Sequence, residues 1–375
     1  MKNKLKLMTI LGTRPEIIRL SETIKACDKY FDHILVHTGQ NYDYELNQIF
    51  FNQLGLRQPT YYLNCAGKDL GETMGNVISK TFELISREKP DAVLVLGDTN
   101  SALSAIAAKR LKTPIFHMEA GNRCWDWNVA EMTNRTIVDH IADINLPYTE
   151  NARRYLLNEG IDGKTIFVTG SPMREVLIKN ISKINNSNVL NEMGLEKGKY
   201  ILVSAHREEN IDIEENFFEL MNSINSIADK YQVPVIYSTH PRSRKWIEKR
   251  GFKFHPLVKN TKPFGFFEYV HLQQNALCVL SDSGTLTEES AIMKFPAVLI
   301  RTSTERPEGL DSGSIIVGGI KKDDVLKATE LAIDMFKNEE PIVSNEFYEV
   351  ENTSTRVVRC IQSYTQIVNL VTWKK

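Results

Sequence analysis

The sequence predicts an α/β protein made of two doubly wound parallel-sheet halves, and three observations point there. Its 375 residues exceed what one hydrophobic core ordinarily organises, so two domains are expected. Short apolar runs rich in β-branched residues alternate with amphipathic helical patterns, the mark of stacked βαβ units. A polar stretch, Ile181 to Asn188, reads as a linker that interrupts this alternation before it starts again.

In the first half, strands are expected at Leu5 to Leu11, Ile34 to Thr38, Ala92 to Leu96, Ile115 to Met118, Ile144 to Leu146 and Ile166 to Thr169. The clearest helix runs from Leu70 to about Glu88, where Leu70, Met74, Val77, Ile78 and Ile85 share one face. Strands in the second half are expected at Tyr200 to Ser204, Val235 to Ser238, Cys278 to Ser281, Ala297 to Ile300 and Ser314 to Val317. A final helix, about Thr353 to Leu370, is expected to cross back onto the first half. The expected domains are therefore 1–181 with 353–375, and 189–352, each Rossmann-like.

Composition narrows the function classes. The chain is 42% hydrophobic and 25% charged with a formal net charge of -1, so no basic excess invites nucleic acid or an anionic membrane surface. The apolar run after Lys6 is broken at once by Gly12-Thr13-Arg14-Pro15, too soon for a signal-peptide core, and no stretch approaches membrane-spanning length. Cys27, Cys65, Cys124, Cys278 and Cys360 are scattered, with no pair spaced for a metal or redox motif. A reduced cytoplasmic protein without a metal or cofactor is expected. Neither a dinucleotide-binding nor a P-loop glycine motif occurs, which leaves the nucleotide as part of a substrate.

Ligands of open parallel sheets bind beyond the carboxyl ends of the strands, so those residues carry the functional reading. The first strand runs into Gly12-Thr13-Arg14-Pro15-Glu16, where a tight turn and a helix N-terminus join the Arg14 guanidinium in a ready anion site. Alone, that turn is equally an ordinary βα turn with a solvated arginine. Ser281-Asp282-Ser283-Gly284-Thr285 offers a second such site, with Glu289 a turn into the helix and able to accept ribose hydroxyls; a plain N-cap is the rival reading. Asp98 and Glu119 each follow a fully apolar strand, where burying an acid is costly unless it is paired or working. Glu131 is four residues before Arg135 and could form only a helical ion pair with it. His206 and Arg207 lie just past a strand end, as do His240 and Arg242, and a structural histidine is the alternative at His206.

Taken in order, Gly12-Thr-Arg-Pro-Glu16, Gly97-Asp-Thr99, Glu119-Ala-Gly121, Asn134-Arg135, Ala205-His-Arg-Glu208, Ser281-Asp-Ser-Gly284 and Thr304-Glu-Arg-Pro-Glu308 resemble the non-hydrolysing UDP-N-acetylglucosamine 2-epimerase family. The resemblance implies a GT-B arrangement, two Rossmann-like domains facing across a cleft, and a homodimer. It implies that Asp98, Glu119 and Glu131 transfer protons, that His206 assists, and that Arg14, Ser283, Gly284, Glu289 and Arg301 hold the UDP. Arg19, Arg123, Arg135, Arg207, His240 and Tyr269 complete the candidate substrate contacts. The implied chemistry removes UDP to leave a C1=C2 unsaturated sugar, then adds it back after protonation on the other ring face.

Three positions depart from the family pattern: Arg19 replaces a lysine, Ala130-Glu131-Met132 retains one acid of two, and Gln40-Asn41-Tyr42 replaces a Gln-His run. The segment Glu119 to Asp126 resembles the branch that forms UDP-N-acetyl-L-fucosamine, with Trp125 and Trp127 an apolar wall suited to a 6-deoxy sugar. The N-acetylmannosamine-forming activity is the alternative. A GT-B glycosyltransferase would not need three acids in the first half, and a UDP-sugar sensor would tolerate loss of Asp98 and Glu119.

Overall fold

The computed structural model describes residues 4–40, 44–127 and 129–375; Met1 to Asn3, and Asn41 and Tyr42 of the Gln40-Asn41-Tyr42 run, lie outside them. The chain divides into two compact units, Met1–Ile178 with Glu349–Lys375, and Lys179–Tyr348.

The first unit holds strands β1 (Lys6–Leu11), β2 (Asp32–His37), β3 (Tyr61–Tyr62), β4 (Ala92–Leu96), β5 (Ile115–Met118) and β6 (Ile144–Leu146). They form one parallel sheet in the order β3-β2-β1-β4-β5-β6. Every residue of β4 is buried, which is why its sequence is apolar without alternation: helices cover both faces. Burial of side chains such as Val93 and Leu94 contributes roughly 1.5–3 kcal/mol each relative to exposure. The helix Leu70–Glu88 begins where the Asp69 side chain accepts the Glu72 N–H at 2.8 Å and ends at Lys89 in the left-handed region. At the other end of the chain, Ser354 donates its N–H and hydroxyl to the Glu175 carboxylate at 2.8 and 2.6 Å. That bond starts the helix Thr353–Val368 within this unit, where it packs on the helix Arg14–Tyr30.

The second unit holds β7 (Ile201–Ser204), β8 (Val235–Ser238), β9 (Val258–Thr261), β10 (Cys278–Ser281), β11 (Ala297–Leu299) and β12 (Ile316–Val317). Their parallel order is β12-β11-β10-β7-β8-β9, the same winding as the first sheet. Strand order reverses between β1 and β4 in one sheet and between β7 and β10 in the other, and such switch points open a crevice for a ligand.

Four expectations change. Ile166 to Thr169 is not a strand of the sheet; Ile166 makes a single bridge to Asn145. The polar linker contains a short helix, Ile181–Asn185, held by fully buried Ile184. Strands β3 and β9 were not expected; both are edge strands whose residues are only half-buried or exposed. No helix among the described residues is long and apolar enough to cross a membrane.

Candidate active site

The switch point of the first unit is closed by Glu16. One carboxyl oxygen, Oε2, accepts the Gly12 N–H at 3.0 Å, the Thr13 hydroxyl at 2.8 Å and the Ser101 hydroxyl at 3.2 Å. The other, Oε1, is buried without a hydrogen-bond partner, and burial pushes the carboxyl up to about 7. Gly12 is required for space rather than for an unusual turn, since a Cβ there would meet Thr38 Oγ1 at 2.0 Å and Ser101 Oγ at 2.5 Å. Thr13 is the N-cap of the following helix but its hydroxyl accepts no backbone N–H, and the Arg14 guanidinium lies 5.9 Å from the centre of the Phe50 ring.

Beside this turn the acids gather. Gly97, at φ +69°, bends the chain out of β4 and delivers Asp98; Glu119 follows β5 in the same left-handed region at φ +61°. A non-glycine residue held there is strained, and such strain concentrates at functional sites. Arg135 pairs with Asp98 and lies 4.0 Å from Glu119, while buried Arg19 pairs with Glu119. Two carboxylates and two guanidiniums thus form one cluster, with the Arg19 that departs from the family pattern inside it. Asn134 donates to the Asp98 carbonyl oxygen at 3.0 Å.

Two further candidates in this unit have different surroundings. Glu131 is exposed in the first turn of the helix Ala130–Ile141, and its expected partner Arg135 is directed to Asp98 instead. Arg123 is fully buried and engaged within the unit, with Nε and Nη2 on both Glu159 oxygens at 2.8 and 2.7 Å and Nη1 on Asp139 at 2.7 Å. Glu159 lies 36 residues away in sequence, so nothing local announces this pairing.

In the second unit, Asp282 closes the switch point. Its Oδ2 accepts the His206 and Arg207 N–H groups at 2.8 and 2.9 Å, and Oδ1 lies 3.3 Å from His206 Nδ1. The His206 ring stands 5.2 Å from that of His240, whose Nδ1 accepts the Arg242 N–H at 3.2 Å. Arg207 donates through Nε to the Asp282 carbonyl oxygen at 3.0 Å. Gly284 is the N-cap of the helix Thr285–Met293, with Glu288 in the first turn and again no side-chain cap hydrogen bond. A Cβ at Gly284 would meet Arg306 Nη1 at 2.3 Å, so this glycine makes room for an arginine.

Behind that turn lies a buried charge network. Arg301 reaches Glu305 at 2.7 Å, while Arg306 reaches Glu305 and Glu288, each at 2.8 Å. Arg301 is therefore engaged internally, as is Glu289, which accepts from Gln273 at 2.6 Å. Burial first, then the Glu289 charge, pushes the Tyr269 phenol up, which places Tyr269 in the same strand-tip cluster.

With this geometry in hand, the comparisons decide the family. A family model described as UDP-N-acetylglucosamine 2-epimerase matches residues 25–362. The chain belongs to this family. A solved UDP-N-acetylglucosamine 2-epimerase from Rickettsia bellii superposes with TM-score 0.92 at 44% identity, over 100% of both chains. The enzyme of Methanocaldococcus jannaschii, solved with UDP-GlcNAc and UDP, gives 0.89 at 34% identity over 96% of this chain and 100% of that one. A Pseudomonas aeruginosa relative, a UDP-2,3-diacetamido-2,3-dideoxy-D-glucuronate 2-epimerase, is 33% identical over 88% of this chain and 92% of its own length. The protein is a UDP-sugar 2-epimerase, and the two parallel α/β sheets are those of GT-B-type epimerases.

Reading the epimerase from its sequence overlooks Glu16, His117, Asp139, Asp282 and Arg306 as site-building residues. Arg306 had a signal, since it sits in the Thr304-Glu-Arg-Pro-Glu308 motif between two acids. Its burial, opposed by Glu288 and Glu305, leaves its basicity raised. Among the described residues, no group of three or more His, Cys, Asp or Glu side chains is placed to hold a metal ion.

Proposed function

We propose that this epimerase interconverts UDP-2-acetamido-2,6-dideoxy-L-talose and UDP-N-acetyl-L-fucosamine. The C2 hydrogen of such a sugar has no neighbouring carbonyl to acidify it, so the C1–oxygen bond must loosen as UDP leaves. Within the second unit, the N-terminus of the helix Thr285–Met293 and the basic groups around His206 are suited to the departing diphosphate charge. Asp98 and Glu119 supply a base and an acid for opposite ring faces. The observation that carries the chemistry is that Arg135 ties these two acids into one cluster. Asp98 keeps a carboxyl 17% exposed and Glu119 one 6% exposed, so the pair presents two different environments. Glu131, exposed in its helix turn, is left a secondary role in proton transfer.

The choice of sugar rests on the segment after Glu119. Trp125 and Trp127 are 58% and 65% exposed, and Trp125 stands edge-on to Tyr155 at 5.7 Å. Indole surface of this kind favours a C6 methyl over a C6 hydroxyl. The relatives named above favour a second reading, conversion of UDP-N-acetylglucosamine to UDP-N-acetylmannosamine. Incubation of both nucleotide sugars with the enzyme in heavy water separates the two. Deuterium should appear at C2 of the talose-configured substrate first, and a clear preference for UDP-N-acetylglucosamine rejects the fucosamine assignment. We further propose that the enzyme serves surface-polysaccharide precursor synthesis in the cytoplasm and acts as a homodimer.

A further inference from the structure

Behind the acid cluster lies a pair that elimination itself does not use. His117 sits on β5, two residues before Glu119, and both it and Asp139 are buried. His117 Nε2 lies 2.7 Å from the carbonyl oxygen of Gly97, the residue before Asp98. A carbonyl oxygen only accepts, so Nε2 carries a proton and donates it. Nδ1 turns inward, 2.9 Å from Asp139 Oδ1. The Asp139 carboxylate in turn accepts the Gly121 N–H, at 3.3 and 3.1 Å, and pairs with Arg123 Nη1 at 2.7 Å. Burial alone drives the Asp139 carboxyl up, but His117 and Arg123 more than reverse this and leave it below the usual range.

The pair therefore grips the backbone immediately before one acid and two residues beyond the other. Gly97, Glu119 and Gly121 all lie in the left-handed region, at φ +69°, +61° and +81°, and of the three only Glu119 carries a side chain that strains it there. At Gly121 a Cβ would approach the Ala152 carbonyl oxygen to 2.4 Å, so the backbone of this turn packs directly against the helix Glu150–Asn158. Without tethers on both sides, Glu119 would relax toward an ordinary conformation and carry its carboxyl away from Arg19 and Arg135.

We propose that His117 and Asp139 are positioning residues of the epimerase, a buried pair that fixes the Gly97–Asp98 and Glu119–Gly121 turns so that both acids keep one productive geometry. This rests on reading Asp98 and Glu119 as the groups that handle the C2 proton. The test compares His117→Asn, His117→Gln and Asp98→Asn in the full-length enzyme, with turnover of the preferred UDP-sugar and with UDP titrated calorimetrically. The glutamine amide reaches the place of Nε2 and keeps the donor to Gly97; the shorter asparagine does not. His117→Asn should lower kcat by about 100-fold with KM changed by less than about threefold, and His117→Gln should regain at least about tenfold of that loss. A kcat in His117→Asn within about threefold of the native value, or equal impairment of the two His117 variants, overturns the positioning role. Inactive Asp98→Asn beside fully active His117 variants removes only that role, whereas active Asp98→Asn removes the acid assignment and the proposal with it.

Discussion

The two switch points share one strand order and one device, a carboxyl that ties the two loops together, but they are fed by different donors. Glu16 reaches from the first turn of a helix and collects two hydroxyls and a single N–H on one oxygen, leaving the other buried and unmatched. Asp282 sits on the turn itself and collects two adjacent backbone N–H groups, with Asn210 Nδ2 a further donor at 3.3 Å. Hydroxyls adapt to either protonation state of a carboxyl, because each can donate or accept; backbone N–H groups only donate. The lesson is that topology selects where a clasp is needed, while the donors within reach decide what that clasp can tolerate. The first unit places its adaptable clasp beside the acids assigned to proton transfer. The second places its rigid one beside the helix N-terminus assigned to the diphosphate.

The sharpest way to break this division of labour is to disable the acids alone. Asp98→Asn or Glu119→Gln should lower kcat by about 1000-fold, the scale of losing a positioned acid or base, while UDP affinity stays within about tenfold. Steady-state kinetics and calorimetric titration of UDP check both halves of that statement. An equal loss of turnover and of UDP binding would show that the acids hold the nucleotide, and the proposed separation would fail.

A smaller effect is expected from the second clasp. Asp282→Ala strands the His206 and Arg207 N–H groups and removes the carboxyl beside His206 Nδ1. Unmatched buried donors cost roughly 1–3 kcal/mol each, so urea unfolding should show a loss of about 3 kcal/mol, with weakened UDP binding. Unchanged stability would mean that the loop after β7 holds its shape without Asp282.

What the sequence disclosed follows the same distinction between local and distant partners. Fully buried strands such as Ala92–Leu96 announce themselves because both faces must be apolar. The edges did not: Tyr61–Tyr62 is two residues long, and Val258–Thr261 carries Lys259 and Asn260 outward. The acids and glycine turns after the strands were legible because each is set by its own few residues. Clasps and counter-charges were not, because their partners lie far along the chain. Ser101 is 85 residues from Glu16, and Glu119 is 100 from Arg19. The pairing of Arg123 was hidden for the same reason, since its chemistry suits a phosphate as well as it suits Glu159.

The finest test of the comparison is the protonation of Glu16. Its carboxyl rises from an ordinary value of 4.5 to about 7, and burial is the main cause. The folded protein therefore holds this proton more tightly than the unfolded chain does. The stability that Glu16 contributes is fully present below about pH 4.5 and is lost as pH rises through about 7. Glutamine cannot ionise, yet its carbonyl oxygen can still accept from Gly12, Thr13 and Ser101. The difference in unfolding free energy between Glu16→Gln and the native protein should then climb between pH 5 and pH 8 by on the order of 2 kcal/mol, in favour of the variant, and flatten above. Because every other titrating group is common to both proteins, the difference isolates this carboxyl, provided that the site is otherwise undisturbed. Denaturant melts at four or five pH values suffice. Parallel curves would mean that Glu16 is already ionised at the acid end, that its buried Oε1 finds a donor in solution, and that the two clasps do not differ in the way their donors imply.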